Sequence, residues 1–143
     1  MSSFTLSGGV LLIVAMDKAQ KSKRRIRKDW LTEIRFYEGL LARFGDDVEV
    51  MQALGDLYTK AGLYERGLEL DLKLTKLIGE EPLSWYNLAC SQALLDRRDE
   101  AISSLAKAID LGYRDIAYIS QDEDLSSLRS DKRFVLLLRR MMP

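Results

Sequence analysis

Val48-Glu49-Val50-Met51-Gln52-Ala53-Leu54-Gly55-Asp56-Leu57-Tyr58 is answered 34 residues later by Pro82-Leu83-Ser84-Trp85-Tyr86-Asn87-Leu88-Ala89-Cys90-Ser91-Gln92. In this register Met51 falls on Trp85, Leu54 on Leu88 and Gly55 on Ala89. Further along, Glu65 falls on Asp99, Gly67 on Ala101 and Leu68 on Ile102. A fixed period of this length is the mark of a repeat architecture, in which each unit is one supersecondary element that buries its apolar side against the next. Met51, Leu54 and Tyr58 stand at i, i+3 and i+7, one stripe of a helix, and Trp85 and Leu88 repeat the first two steps.

The order of a large residue, then Leu and a small residue three and four places on, and another small residue twelve further, resembles the tetratricopeptide repeat family. The resemblance implies an all-α protein, a short helical solenoid of antiparallel helix pairs, with units at 48–81 and 82–115. It also gives the small residues a reason: Gly55 with Gly67, and Ala89 with Ala101, would sit where two helix backbones come closest, and a bulky side chain there would wedge them apart. Local signals agree. Asp47 suits an N-cap, Gly62 supplies a turn in the first unit and residues 96–99 one in the second, and Pro82 suits the first turn of its helix because no N–H partner is lost there. Three positions depart from the family pattern: Asp71 and Gln92 stand where an aromatic is usual, and Gly79 where proline is frequent.

Leu68-Glu69-Leu70-Asp71-Leu72-Lys73-Leu74 alternates like a half-buried strand. Helix is the better reading, since leucine is not β-branched, Glu69 and Lys73 make a favourable i, i+4 pair, and the second helix of a unit packs on two sides. Upstream, apolar residues at 30, 34, 37, 41 and 44 fall on one helical face, so 29–45 reads as the second half of a unit whose first half is missing. Downstream, Asn87-Leu88-Ala89-Cys90 followed by Asp124-Leu125-Ser126-Ser127-Leu128-Arg129-Ser130-Asp131 resembles the end-of-group variant of the same repeat. The closing segment 116–143 is expected to cover the apolar end of the stack with Leu125, Leu128, Phe134, Leu137 and Leu138. A helical domain over 29–143 follows, preceded by an arm, 1–28, that is apolar, then basic, and in part disordered.

The chain has 143 residues, no histidine and one cysteine. The lack of histidine removes the commonest general base and metal ligand, and no residue constellation points to an enzyme, a metal or another cofactor. Cys90 alone can form no internal disulfide, which fits a reducing compartment, and the expectation is cytoplasmic. Cys90 itself reads as a small buried helical residue, and the run Asp122, Glu123, Asp124, which lacks the glycine and spaced acids of a calcium loop, as a solvated turn or helix cap.

The apolar run over 8–16 is roughly half the ~20 residues that cross a bilayer, and its charges follow rather than precede it, the wrong order for a secretory signal. It reads as a flap on the helical body, a foot on a membrane surface, or an upstream extension outside the folded protein. The last is favoured because Met16 opens a sensible soluble sequence. Lys18, Lys21, Lys23, Arg24, Arg25, Arg27 and Lys28 then crowd between Asp17 and Asp29, while acidic residues outnumber basic ones from Asp29 onward.

Two function classes follow. First, the concave surface of such a stack is lined by the first helix of each unit: Glu49, Gln52, Asp56, Thr59 and Lys60, then Leu83, Tyr86, Asn87, Cys90 and Leu94. A protein partner, presented as a peptide or a single helix, is the ligand that a groove of two units suits. Asn87 matches an asparagine that chaperone-tail-binding members use to hold a carboxylate, but the accompanying Lys and Asn fall at Gln52 and Asp56, and Asp56 would repel that group. Second, the arm residues Lys21, Lys23, Arg24, Arg25, Arg27 and Lys28 could dock on nucleic acid or an anionic membrane, with steep salt dependence and no sequence preference. Phe134, Leu136, Met141 and Met142 are a candidate homo-oligomer contact.

Overall fold

The computed structural model describes residues 28–143, in which every regular element is helical. They are α1 (Lys28–Phe44), α2 (Val48–Lys60), α3 (Tyr64–Leu77), α4 (Pro82–Leu94), α5 (Arg98–Asp110), α6 (Ile116–Gln121), a 3-10 helix (Glu123–Leu128) and α7 (Lys132–Met141). The protein is all-α and consecutive helices pack in pairs. The alternating stretch over 68–74 lies wholly within helix α3. None of these helices is long and apolar enough to cross a membrane.

The 34-residue period is written into the helix ends. Both ends of α4 lie one period beyond those of α2, and α5 opens one period after α3. The turns repeat as well. At the end of α2, Gly62 has φ 79°, its N–H donates to Thr59 O at 3.1 Å, and Leu63 N–H donates to Tyr58 O at 2.8 Å. At the end of α4, Asp96 takes φ 59°, with Asp96 N–H on Ala93 O at 3.0 Å and Arg97 N–H on Gln92 O at 2.8 Å. Gly112 closes α5 in the same way. These paired bonds satisfy carbonyls that a helix end leaves open, and they need a left-handed residue, which glycine adopts freely and aspartate at small cost. The expected cap is also present: the Asp47 carboxylate accepts Val50 N–H at 3.1 Å.

The chain divides into two compact units, Met1–Leu63 and Tyr64–Pro143. The sequence reads as a single helical body over 29–143, whereas this division falls between the two helices of the first repeat. In the first unit α1 packs on α2. Ile34, Met51 and Leu54 are buried, and the Tyr58 hydroxyl donates to Glu38 Oε1 at 2.6 Å, tying the pair together.

In the second unit α4 is the central element, packed against α3, α5 and the 3-10 helix. Its burial runs all round: Ser84, Tyr86 and every residue from Leu88 to Ala93 are buried. A helix with no solvent stripe of its own must be enclosed by neighbours, and the closing segment supplies the last of them. Ile119, Leu125, Leu128, Phe134 and Leu137 join Ala89, Ala101, Leu105 and Ala108 in one core, with Leu138 packed at its edge. That is the covering role read from the sequence.

Two departures from the repeat pattern find partners in this unit. Asp71 on α3 accepts a hydrogen bond from the Ser91 hydroxyl on α4, and Gln92 on α4 accepts one from Ser104 on α5 at 2.7 Å. Both pairs are buried. A polar group at a core position is tolerated only when its hydrogen bonds are made, and no buried side-chain nitrogen or oxygen among the described residues lacks a partner.

Candidate binding surface

The residues assigned to the groove fall in different units. In the first unit Glu49, Asp56 and Lys60 are exposed on α2, and Gln52 and Thr59 half-buried. Their order follows from the helix period, because Met51, Leu54 and Tyr58 turn inward and leave the opposite face to water. Asp56 and Lys60 form an i, i+4 ion pair at 2.7 Å. The carboxylate holds the Lys60 ammonium above its ordinary pKa, so this face presents a matched pair rather than a free charge. The Thr59 hydroxyl donates back to Gly55 O at 3.2 Å.

In the second unit the assignment needs correcting. Leu83 is exposed and Asn87 half-buried, but Tyr86 is 2% exposed and Cys90 buried, so neither lines an open surface. Their face of α4 is filled by the closing segment of the same chain. The Tyr86 hydroxyl donates to Asp122 Oδ2 at 2.7 Å, the Cys90 thiol approaches the same oxygen at 3.7 Å, and the Ser127 hydroxyl donates to Ala93 O at 3.1 Å. The Tyr86 ring stacks on Tyr113 with centroids 4.4 Å apart and meets Tyr118 at 6.0 Å. The spacing of Tyr86 and Cys90 correctly put both on one helical face; what covers that face, Tyr113 and the closing segment, lies far along the chain. Phe134, named as an oligomer contact, is likewise core, and Met141 is half-buried; Leu136 and Met142 are exposed.

Asp122 therefore acts as a latch. Its Oδ1 caps the 3-10 helix by accepting Asp124 N–H at 3.0 Å, and its backbone carbonyl accepts from Arg129 Nη2 at 3.2 Å. The expected helix cap is present, but the residue is half-buried and engaged rather than solvated. Burial, then the neighbouring Asp122 and Asp124 carboxylates, push the Cys90 thiol well above its ordinary pKa. Burial is also the leading cause that raises the Tyr86 phenol, and Tyr113 is pushed up to about 12. All three hydroxyl or thiol groups stay protonated at neutral pH, which suits donors and not nucleophiles. Among the described residues Cys90, Asp122 and Asp124 bring ligand-type atoms within 4.8 Å of one another and could reach one metal ion. Both Asp122 oxygens are already accepting hydrogen bonds, so the arrangement reads first as the latch.

Of the basic arm, Lys28 is the exposed first residue of α1. Lys21, Lys23, Arg24, Arg25 and Arg27, together with the apolar run over 8–16, lie outside the described residues.

No protein-family model matches the chain. It is 33% identical over 88 residues to a protein of Arabidopsis thaliana whose name describes it as chloroplastic. The match takes in 57% of this chain and 25% of that protein, so the chain spans about a quarter of the length of the curated relative it matches.

Proposed function

We propose that the protein is a non-catalytic, tetratricopeptide-like interaction module that binds a peptide or a single helix of a partner protein. The observation that carries this reading is the recurrence of helix ends and turn geometry at 34 residues. In arrays of this kind each unit contributes one helix face to a recognition surface, and the face left to water carries the contacts. The polar row of α2, exposed Glu49, Asp56 and Lys60 with half-buried Gln52, is the surface proposed in the first unit, and Leu83 with Asn87 the one proposed in the second. With Tyr86 assigned to the core, the test uses Gln52→Ala, Asp56→Ala and Asn87→Ala together. Crosslinking and mass spectrometry in cells should lose specific partners with this triple variant, and a partner set identical to wild type would count against these faces.

A second reading rests on charge segregation. The basic residues over 18–28 precede an acidic body, the distribution of an arm that docks on a polyanion. Deleting 17–28 should then abolish binding to nucleic acid or anionic vesicles, and a wild-type affinity indifferent to salt would rule it out. The relative is named as chloroplastic, and a lone buried cysteine suits any reducing compartment, the expected cytoplasm included.

A further inference from the structure

The turn between α3 and α4 holds an open groove of about 450 Å³, lined by Leu77, Ile78, Gly79, Glu80 and Glu81. Leu77 is 50% exposed, and Leu83, on the first turn of α4, 45%. Leu77 lines the concavity and Leu83 follows its last lining residue, Glu81, by two positions, so both are exposed apolar side chains at this turn.

The turn that forms the groove is tied by its own hydrogen bonds. Trp85 Nε1–H donates to Gly79 O at 2.8 Å, Glu81 N–H to Ile78 O at 3.1 Å, and the Ser84 hydroxyl reaches both Ile78 O and Glu81 O, at 3.3 and 2.9 Å. Gly79 fits this turn because a Cβ there would lie 2.9 Å from the Thr75 carbonyl oxygen. This is the position where the resembled family often has proline. A surface fixed before binding loses little freedom when a ligand arrives.

Its rim is negative. Neither Glu80 nor Glu81 joins an ion pair among the described residues. The N-terminus of α4 beside them contributes only about half a positive charge, which two carboxylates exceed. Apolar floor and acidic rim together select a cationic, apolar ligand.

We infer that this groove docks a peptide segment of a partner protein in which an apolar side chain stands next to lysine or arginine. The apolar side chain packs on Leu77, Ile78 and Leu83, and the cation lies between Glu80 and Glu81. The groove shares Leu83 with the second-unit face proposed above and no residue with the polar row of α2, so the Gln52, Asp56 and Asn87 alanine triple, which leaves Leu83 in place, separates failure of that reading from failure of this one.

The test is fluorescence anisotropy of the full chain with a fluorescein-labelled peptide carrying two leucines flanked by lysines. Saturable binding is expected, weakened about ten-fold or more by Leu77→Ser with Leu83→Ser, since burying the exposed half of each leucine contributes roughly a three- to ten-fold factor. Glu80→Gln with Glu81→Gln should weaken it and flatten its salt dependence. The Gln52, Asp56 and Asn87 alanine triple should leave it unchanged. The inference is overturned if wild type shows no saturable binding, if both groove variants bind like wild type, or if a glutamate-flanked or serine-substituted peptide binds equally well. Light scattering that grows with concentration and is abolished by Leu77→Ser would put a second copy in the groove and overturn the partner segment.

Discussion

Asp71 is 5% exposed and takes a hydrogen bond from Ser91. Loss of hydration outweighs that bond and pushes its pKa up to about 6 from 3.8. The folded chain thus holds this proton more tightly than the unfolded chain does. Its contribution to stability is whole below about pH 4 and is lost as pH rises through about 6, leaving a penalty on the order of 3 kcal/mol at neutral pH. Asp71→Asn keeps the size and an oxygen for Ser91 but carries no charge. Urea unfolding should show it more stable than wild type by about 1–3 kcal/mol at pH 7.5, with the difference nearly gone at pH 4. A gain of the same size at both pH values would mean that charge is not the cause. The sequence marks Asp71 and Gln92 as polar residues at apolar positions, and burial demands that each find a partner. Which partner is a matter of helix packing: Ser91 and Ser104 lie 20 and 12 positions away, and no local period singles them out.

At the scale of elements, the left-handed turns give paired expectations of opposite sign. Gly62→Ala places a Cβ at φ 79° and should cost about 1–2 kcal/mol. Asp96→Gly relieves φ 59° at the equivalent turn and should be neutral or stabilising by less than about 1 kcal/mol, because the gain is offset by the freer unfolded chain. Thermal or urea unfolding checks both, and equal effects at the two sites would deny that they are one turn repeated. Gly62 was legible as a turn from its type alone, and residues 96–99 only from the period, since an aspartate seldom announces a positive φ. The face of α4 shows where such reading ends. A 3.6-residue pattern says which side chains share a face, but water and a covering segment look the same from within one helix. Removing the Tyr86 donor tests the cover: Tyr86→Phe leaves Asp122 with Asp124 N–H and Cys90, so the cost should be about 1–2 kcal/mol rather than unfolding. Amide exchange over 119–128 should speed up more than exchange in α3. A uniform change would sink the latch.

The whole molecule joins two regularities that need not coincide. The period runs through 48–115 without regard to which helices share a core, whereas compactness divides the chain after Leu63. Repetition in sequence sets where helices begin and end, and division in space records where apolar area is buried, so the second was not legible from the first. The second unit has the means to stand alone. Its core, from Tyr86 and Ala89 through Leu105 to Phe134 and Leu137, lies entirely within Tyr64–Pro143, and α4 is enclosed by α3, α5 and the 3-10 helix of that unit. A domain of about 80 residues is large enough to fold without staples when its core is closed. A chain of 64–143 is therefore expected to be helical by circular dichroism and to unfold in one cooperative transition. The same start ended at Asp115 loses Ile119, Leu125, Leu128, Phe134 and Leu137 from the core and leaves the Tyr86 face of α4 to water. It should unfold without cooperativity and bind hydrophobic dyes. If the shorter chain proves as cooperative as the longer one, the closing segment is an ornament on the fold, and the groove first assigned to Tyr86 becomes a ligand site that the segment occupies in place of a partner.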